Sequence, residues 1–383
     1  MKIVLCSDSF IPVIDGVGRV TYEYAQRLSD RGNECYVVTP VQKTGFRGRY
    51  SFEIVDYLSV DTPLAPQYKS GIAIADTHYL ERISGIVPDI IHAHSPGTAG
   101  AEALRLGEKY KVPVIGTFHS KYYDDLKRYT KSELISSIGV RIIVNFFERC
   151  DEVWTVSNYA AETLHEYGYV GDIKVVHNGS SLRDPDPGLE KRARQEFNLS
   201  DDPILLYAGQ IDRKKNLGRI VEAAAVLRRR GRRFQLIFAG KGPDEDIIRN
   251  YAEQKGAGPV RFTGHISDTD LLDGLYMAAS LFIFPSHYDT QGLVVSEAAG
   301  MGTPSVVVRN SAPAEFITNR RNGYVVIDQE DCIADAVDDY LLKLDDKGRS
   351  EMSLNARNEI PLGWDPIMDE VEKRYRSLIS KGL

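Results

Sequence analysis

A chain of 383 residues is long for one core and comfortable for two domains. Its 43% hydrophobic and 26% charged residues describe an ordinary globular protein, and a net charge of −7 argues against a general nucleic-acid binder. Cys6, Cys35, Cys150 and Cys332 are scattered, without the spacing of a metal site or disulfide framework, which fits a reducing compartment.

The opening "MKIVLCSDSF" enters a strand at once, meets Asp8, and lacks the apolar length and cleavage site of a signal peptide. No run reaches the roughly 18 apolar residues that span a bilayer. The expectation is a cytoplasmic protein, at most attached to the membrane's cytoplasmic face. "KIVLCS", "CYVVTP", "DIIHAH", "PVIGTF", "EVWTVS" and "IKVVHN" then read as buried strands. Helical periodicity lies between several of them, as in "VTYEYAQRLSDRG", where Gly32 closes the helix. Such alternation predicts a parallel, doubly wound sheet. "NGSSLRDPDPGLEKRAR", with Pro185, Pro187 and Gly188, is the best linker candidate. A second series follows: "PILLYAG", "FQLIFAG", "VRFTGH", "LFIFPS", "PSVVV" and "GYVVI". The fold class is therefore α/β, with Rossmann-like domains over 1–180 and 181–360 and a closing amphipathic helix within 361–383. In such sheets ligands bind beyond the carboxyl ends of the strands, so motifs there carry the most information.

Gly16 and Gly18 precede the first helix and suit either a phosphate or a plain loop bend. The stretch lacks the third glycine and the tight first turn of a dinucleotide fingerprint. His119 directly follows a strand, where a sheet offers side chains to its ligand, although a lone histidine is more often packed or solvated than catalytic. His92 and His94 share a strand face, but with no third ligand nearby the plain packing role is preferred to a metal. In "YAGQIDRKKNLGR", Gly209 ends a strand and Arg213, Lys214 and Lys215 precede a helix, which suits a diphosphate or a solvated surface.

"HYDTQGLVVSEAAGMGTPSVVV" holds Asp289 and Glu297, which could act as the acid and base of glycoside cleavage. Eight helical residues turn through about 800°, so the two carboxylates do not stack. The arrangement better suits a helix N-terminus near Gly292 facing a phosphate, with one carboxylate on either side. Backbone N–H groups and Lys215 would take a diphosphate, and the carboxylates a ribose and sugar hydroxyls.

Taken in order, the Gly16 loop, "PDIIHAH", "TFH", "HNG", "AGQIDRKKN", "AGKGP", "FTGHIS", "FPS", "EAAGMGTPSV" and "PAEFI…NGYVV" resemble the retaining glycosyltransferases of family four, which have the GT-B fold. The resemblance covers nearly the whole chain. It implies an acceptor-binding first domain, a nucleotide-sugar-binding second domain and a last helix that crosses back to the first. Gly16 and Val17 would lie by the donor phosphates, and His119 would face the reacting sugar. Lys215 would bind the diphosphate with Arg213 or Lys214 beside it, near Gly209. Gly292, Leu293 and Val294 would give backbone N–H groups, Glu297 would hold the ribose and Asp289 the sugar. Two positions depart from the family: Asp289 stands where Glu is usual, and Gln210 where Arg is usual. "SDSFIPVIDGV", "TFHSKYYDD" and "DTQGL" are similar to bacterial diacylglycerol glucosyltransferases. The basic and apolar mixture from Lys121 to Arg149 suits either an anionic lipid surface or an ordinary helix pair.

The expected activity is metal-independent retaining transfer of a glucose-like hexose, with UDP-hexose as substrate and no further cofactor. No Asp-x-Asp metal motif stands at a strand end. The acceptor hydroxyl would belong to a membrane lipid or cell-envelope glycan, with peripheral membrane association allowed and no nucleic-acid partner. The alternatives are a GT-B protein that binds sugar nucleotides without turnover, or a sugar-nucleotide epimerase.

Overall fold

The computed structural model describes residues 1–11, 15–40, 49–62 and 65–382. Pro12, Val13 and Ile14, within "SDSFIPVIDGV", lie outside the described residues. The chain divides into two compact units, Met1–Asn178 with Asp365–Leu383, and Gly179–Trp364.

In chain order the first unit contains β1 (Lys2–Cys6), α1 (Gly16–Asp30), β2 (Glu34–Pro40), β3 (Glu53–Tyr57), β4 (Ser59–Thr62), β5 (Ala65–Gly71), α2 (Thr77–Ser84) and β6 (Ile90–Ala93). There follow α3 (Thr98–Tyr110), β7 (Val114–Phe118), α4 (Tyr122–Thr130), α5 (Glu133–Glu148), β8 (Glu152–Thr155), α6 (Asn158–Glu166) and β9 (Ile173–Val175). Seven strands form one sheet in the order β3-β2-β1-β6-β7-β8-β9, and every pairing in it is parallel. Strands with both faces covered are buried throughout, as in "VLC" and "VIGTF", because helices pack on each side. The sequence reading missed β3 and the antiparallel β4–β5 hairpin, in which charged and polar residues interrupt the apolar run that marks the other strands.

Helix α1 ends as its sequence requires. Gly32 takes a left-handed φ of 85°, its N–H donates to Ser29 O, and the Asn33 N–H donates to Leu28 O. The cap residue is Arg31, and Gly32 stands one place beyond it.

The second unit contains α7 (Pro187–Glu196), β10 (Ile204–Ala208), α8 (Leu217–Arg229), β11 (Gln235–Ala239), α9 (Glu245–Lys255), β12 (Val260–Gly264), α10 (Thr269–Ala278) and β13 (Leu281–Phe284). It continues through α11 (Leu293–Gly300), β14 (Ser305–Val308), β15 (Gly323–Val326), α12 (Glu330–Asp338) and α13 (Asp346–Glu359); α14 (Trp364–Ser380) closes the chain. Its sheet is also parallel, in the order β12-β11-β10-β13-β14-β15.

The proline-rich stretch read as a linker begins at the boundary between the units, Asn178/Gly179, but from Pro187 onward it is helix α7. Asp186 caps that helix by accepting from the Gly188 N–H, and Pro187 occupies its first turn, where a missing N–H costs nothing. Helix α7 packs so closely on α10 that a Cβ on Gly274 would stand 2.1 Å from Leu189 O. The arginine-rich "RRRGRR" works inside this unit. Arg228 donates to Phe234 O, and Arg230 and Arg232 both pair with Asp338.

Candidate functional site

Each sheet reverses its strand order once, at β1/β6 and at β10/β13, and the chain leaves these neighbouring strands in opposite directions. Loops from adjacent carboxyl ends diverge there and leave a crevice, the usual ligand position in such sheets. Most of the predicted site residues lie on the segments that leave these strands, whereas His119 follows β7, the neighbour of β6.

In the second unit, β10 runs into Gly209 and then a short helical turn, Arg213–Lys215, capped by Asp212. Gly209 has φ 145° and Gly240 φ 146°, and a Cβ on Gly240 would fall 1.8 Å from Gly209 O. Only glycine permits that approach. From β13, the loop Pro285–Gln291 leads to Gly292 and α11. Because β10 pairs with β13, Lys215 meets Asp289: Nζ donates to Asp289 Oδ1 at 2.6 Å. Asp289 Oδ2 accepts from Ser286 Oγ at 2.5 Å. Tyr288 presents its ring to two cations, 4.1 Å from Lys214 Nζ and 4.8 Å from Lys215 Nζ. Arg213 is largely exposed, 3.5 Å from Asp244, and Gln210 is exposed.

Gly292 adopts φ 81°, and a Cβ there would strike Pro313 Cγ at 2.6 Å, so the turn into α11 requires glycine. Having no side chain, Gly292 contributes no cap to the N–H groups of Leu293 and Val294. Glu297 lies more than a turn along α11, where the Tyr276 hydroxyl reaches its Oε2 at 3.4 Å. Asp289 and Glu297 therefore have separate partners.

In the first unit, the N-terminus of α1 already holds an anion. Asp15 Oδ1 accepts from the Gly18 N–H at 2.7 Å and Oδ2 from Ser9 Oγ at 2.6 Å. Gly16 and Val17 form the first positions of that helix, and space is open around Gly16. Asp8, just past β1, binds Ser95, Thr98 and the Ala99 N–H, and so ties β1 to the start of α3.

His119 follows β7 and is buried beside His94, with His94 Nδ1 3.0 Å from His119 Nε2. His92 is held by Tyr375 Oη at Nδ1 and Thr117 Oγ1 at Nε2, each at 2.6 Å. Burial lowers the pKa of all three imidazoles, that of His119 to about 3. In the unfolded chain these groups take up protons near pH 6.5. Folded stability from neutral histidine is therefore complete above that pH and is lost as pH falls through the window down to about 3. Urea melts at pH 7.5 and 5 are expected to differ by about 1 kcal/mol per pH unit for each imidazole, and His94→Phe should flatten the slope. An unchanged slope in that variant would contradict the buried neutral assignment.

Sequence reasoning missed Tyr288, Ser286, Asp15 and the His94–His119 contact. Tyr288 was within reach, since an aromatic residue beside Asp289 stands at the same strand end. The other contacts depend on folding.

Residues 14–183 match the Glycosyltransferase Family 4 model, and residues 190–359 match Glycosyl transferases group 1. Alpha-monoglucosyldiacylglycerol synthase of Streptococcus pneumoniae is 26% identical over 371 residues, covering 92% of this chain and 81% of that protein. GDP-mannose-dependent alpha-mannosyltransferase of Corynebacterium glutamicum is 24% identical over 388 residues, with 99% and 90% covered. Among solved structures, Anabaena Alr3699/HepE in complex with UDP and glucose aligns at TM-score 0.76 and 16% identity, covering 98% of this chain and 100% of that one. The chain thus belongs to the glycosyltransferases that join a Family 4 domain to a group 1 domain on the GT-B fold.

Proposed function

We propose that the protein is a retaining hexosyltransferase that moves a glucose-like sugar from a UDP-linked donor to an acceptor hydroxyl. The observation that carries this reading is the cluster at the β10/β13 switch point, where Lys215, Asp289 and the glycine-led start of α11 converge. Lys215 and the N–H groups of Gly292, Leu293 and Val294 would stabilise negative charge growing on the departing diphosphate. Gly209, Arg213 and Lys214 would border that anion, with Gly16 and Val17 assigned to the donor phosphates. As the anion draws Lys215, Asp289 would be released to accept hydrogen bonds from sugar hydroxyls. Glu297, oriented by Tyr276, would accept from the ribose, and His119 is assigned to the transferred sugar. The nucleotide sugar is substrate, and no metal or further cofactor enters the reading.

A thermal-shift panel of UDP, GDP, ADP and their sugars tests the donor, because a bound ligand raises Tm by mass action. UDP and UDP-hexose are expected to raise Tm, and Glu297→Ala to remove most of that shift. A response to GDP or ADP alone would overturn the UDP assignment. The anomeric configuration of the product, read by NMR, tests retention.

The acceptor is proposed to be a membrane lipid or cell-envelope glycan, reached at the membrane's cytoplasmic face. No helix among the described residues is long and apolar enough to cross a membrane. Helix α5 instead turns Leu134, Ile135, Ile138 and Ile142 outward, each more than half exposed, beside exposed Lys131, Arg141 and Arg149. An apolar stripe edged by cations suits the interface of an anionic bilayer. Ile138→Glu with Ile142→Glu should abolish cosedimentation with phosphatidylglycerol vesicles while leaving the UDP-induced shift intact. Undiminished cosedimentation would remove α5 from the proposal.

A further inference from the structure

Lys215 and Asp289 come from different strands, and one amide–carboxylate pair is tied to both of their segments. Asn216 directly follows Lys215, and its Nδ2 donates to Pro285 O at 3.2 Å, just past the end of β13. The same nitrogen donates to both oxygens of Asp328, at 3.0 and 3.1 Å. Asp328 lies two residues beyond β15. Its Oδ1 also accepts from Arg219 Nε on α8 at 3.0 Å, and its Oδ2 lies 3.3 Å from Nε2 of His287, two residues before Asp289. The segments that follow β10, β13 and β15 thus meet at a single carboxylate.

Asn216 is also the N-cap residue of α8, a position where a side-chain oxygen ordinarily accepts from the first turn of the helix. Among the described residues its side chain makes no such cap. Its backbone holds a left-handed φ of 59°, which glycine adopts more readily. For the turn alone, glycine would serve as well. What asparagine adds is an amide that reaches the end of β13 and the carboxylate after β15. Hydrogen bonds to an ionised carboxylate are the stronger kind, so this cross-strand tie is well suited to fix geometry.

We infer that Asn216 and Asp328 are positioning residues: together they hold the Lys215 turn against the loop that carries Asp289, and so set where the Lys215 ammonium stands. A preorganised charge acts only if its supporting groups keep it in place. Here the support comes from Asn216 on the Lys215 side, and from the Pro285 carbonyl and His287 on the Asp289 side. The tie itself stands on these contacts, whereas its use in transfer rests on the proposed role of Lys215 at the leaving diphosphate.

The test uses Asn216→Gly in the full chain. Glycine keeps the left-handed backbone and removes the amide, so the variant is expected to fold with Tm close to wild type. It should lower kcat about 10-fold with KM changed less, as a misplaced group does. UDP binding by calorimetry should weaken about 3-fold or more in Asn216→Gly, yet not weaken further when that change is added to Lys215→Met, since a residue acting through Lys215 then has nothing to position. Nitrogen NMR of the lysine side chains reads the coupling without any ligand: the Lys215 ammonium signal should move in Asn216→Gly toward its position in Asp289→Asn. If Asn216→Gly does not fold, Asp328→Asn, which keeps the side-chain shape and removes the charge, makes the same comparison. Losses that simply add to those of Lys215→Met, or a Lys215 signal that ignores the change, would make the pair a plain structural tie and overturn the inference. Wild-type protein without turnover, but with the coupled Lys215 signal, would sink the transferase reading and leave the positioning of Lys215 standing.

Discussion

Lys215→Met is expected to lower kcat about 10²- to 10³-fold, the usual cost of removing one preorganised charge stabiliser. Methionine keeps the stem of a side chain that is only 13% exposed, and removes the ammonium group. That ammonium faces two demands. It neutralises Asp289 Oδ1 at 2.6 Å in the ligand-free protein, and in the proposed reaction it meets the leaving diphosphate. The double variant with Asp289→Asn separates them. If Lys215 served only its carboxylate partner, neutralising Asp289 would remove the need for it, and Lys215→Met/Asp289→Asn would recover activity. The expectation is no recovery, together with UDP binding weakened in both Lys215→Met backgrounds by calorimetry. A double variant that turns over near wild-type rates would mean that the pair is structural. Asp289 is itself 21% exposed and keeps its bond from Ser286, so solvent limits the stability loss in Lys215→Met.

Much of this architecture is local, and local features are what a sequence displays. The apolar runs "ILLYA", "LFIF" and "SVVV" are buried along their whole length, as parallel strands between two helix layers must be. The start of α11 could be placed because Gly292 follows an apolar strand and a polar loop, a pattern with one backbone solution. The proline-rich stretch does begin at the boundary between the units, but its second half was read past: Asp186 followed by Pro187 is a helix-start signal as much as a linker signal. Other features were out of reach. Lys215 and Asp289 are separated by 74 residues and meet only because β10 and β13 are neighbours, and strand order is not written locally. The plain reading of His92 as a packed residue holds, but its partner Tyr375 lies 283 residues downstream. Without that partner, His92 and His94 look alike in the sequence, and the sequence does not show that His94 Nε2 has no hydrogen-bond partner among the described residues.

Tyr375→Ala is expected to destabilise the protein by about 3–5 kcal/mol, the range for removing a fully buried aromatic ring. Tyr375 has no exposed surface, lies against Trp154 with centroids 5.9 Å apart, and bonds His92 Nδ1 at 2.6 Å. Met368 and Val371 on the same helix are also fully buried, and the polar ties include Arg31 to Asp369 at 2.6 Å, which is exposed, and Asn33 to Glu372 at 2.7 Å, which is partly buried. An exposed pair contributes little, so the buried face, with the Tyr375 ring as its largest member, should dominate the attachment of the helix. Tyr375→Phe divides the effect. It keeps the packing, removes the hydroxyl and leaves His92 Nδ1 without that partner, which costs about 1–3 kcal/mol. His92→Phe in the Tyr375→Phe background removes both partners, and should cost less than the sum of the two single changes. Urea unfolding of the four variants measures each difference. A loss below about 1 kcal/mol in Tyr375→Ala would show that the ring does not hold α14 in place, and a strictly additive double variant would show that the 2.6 Å contact carries no coupling.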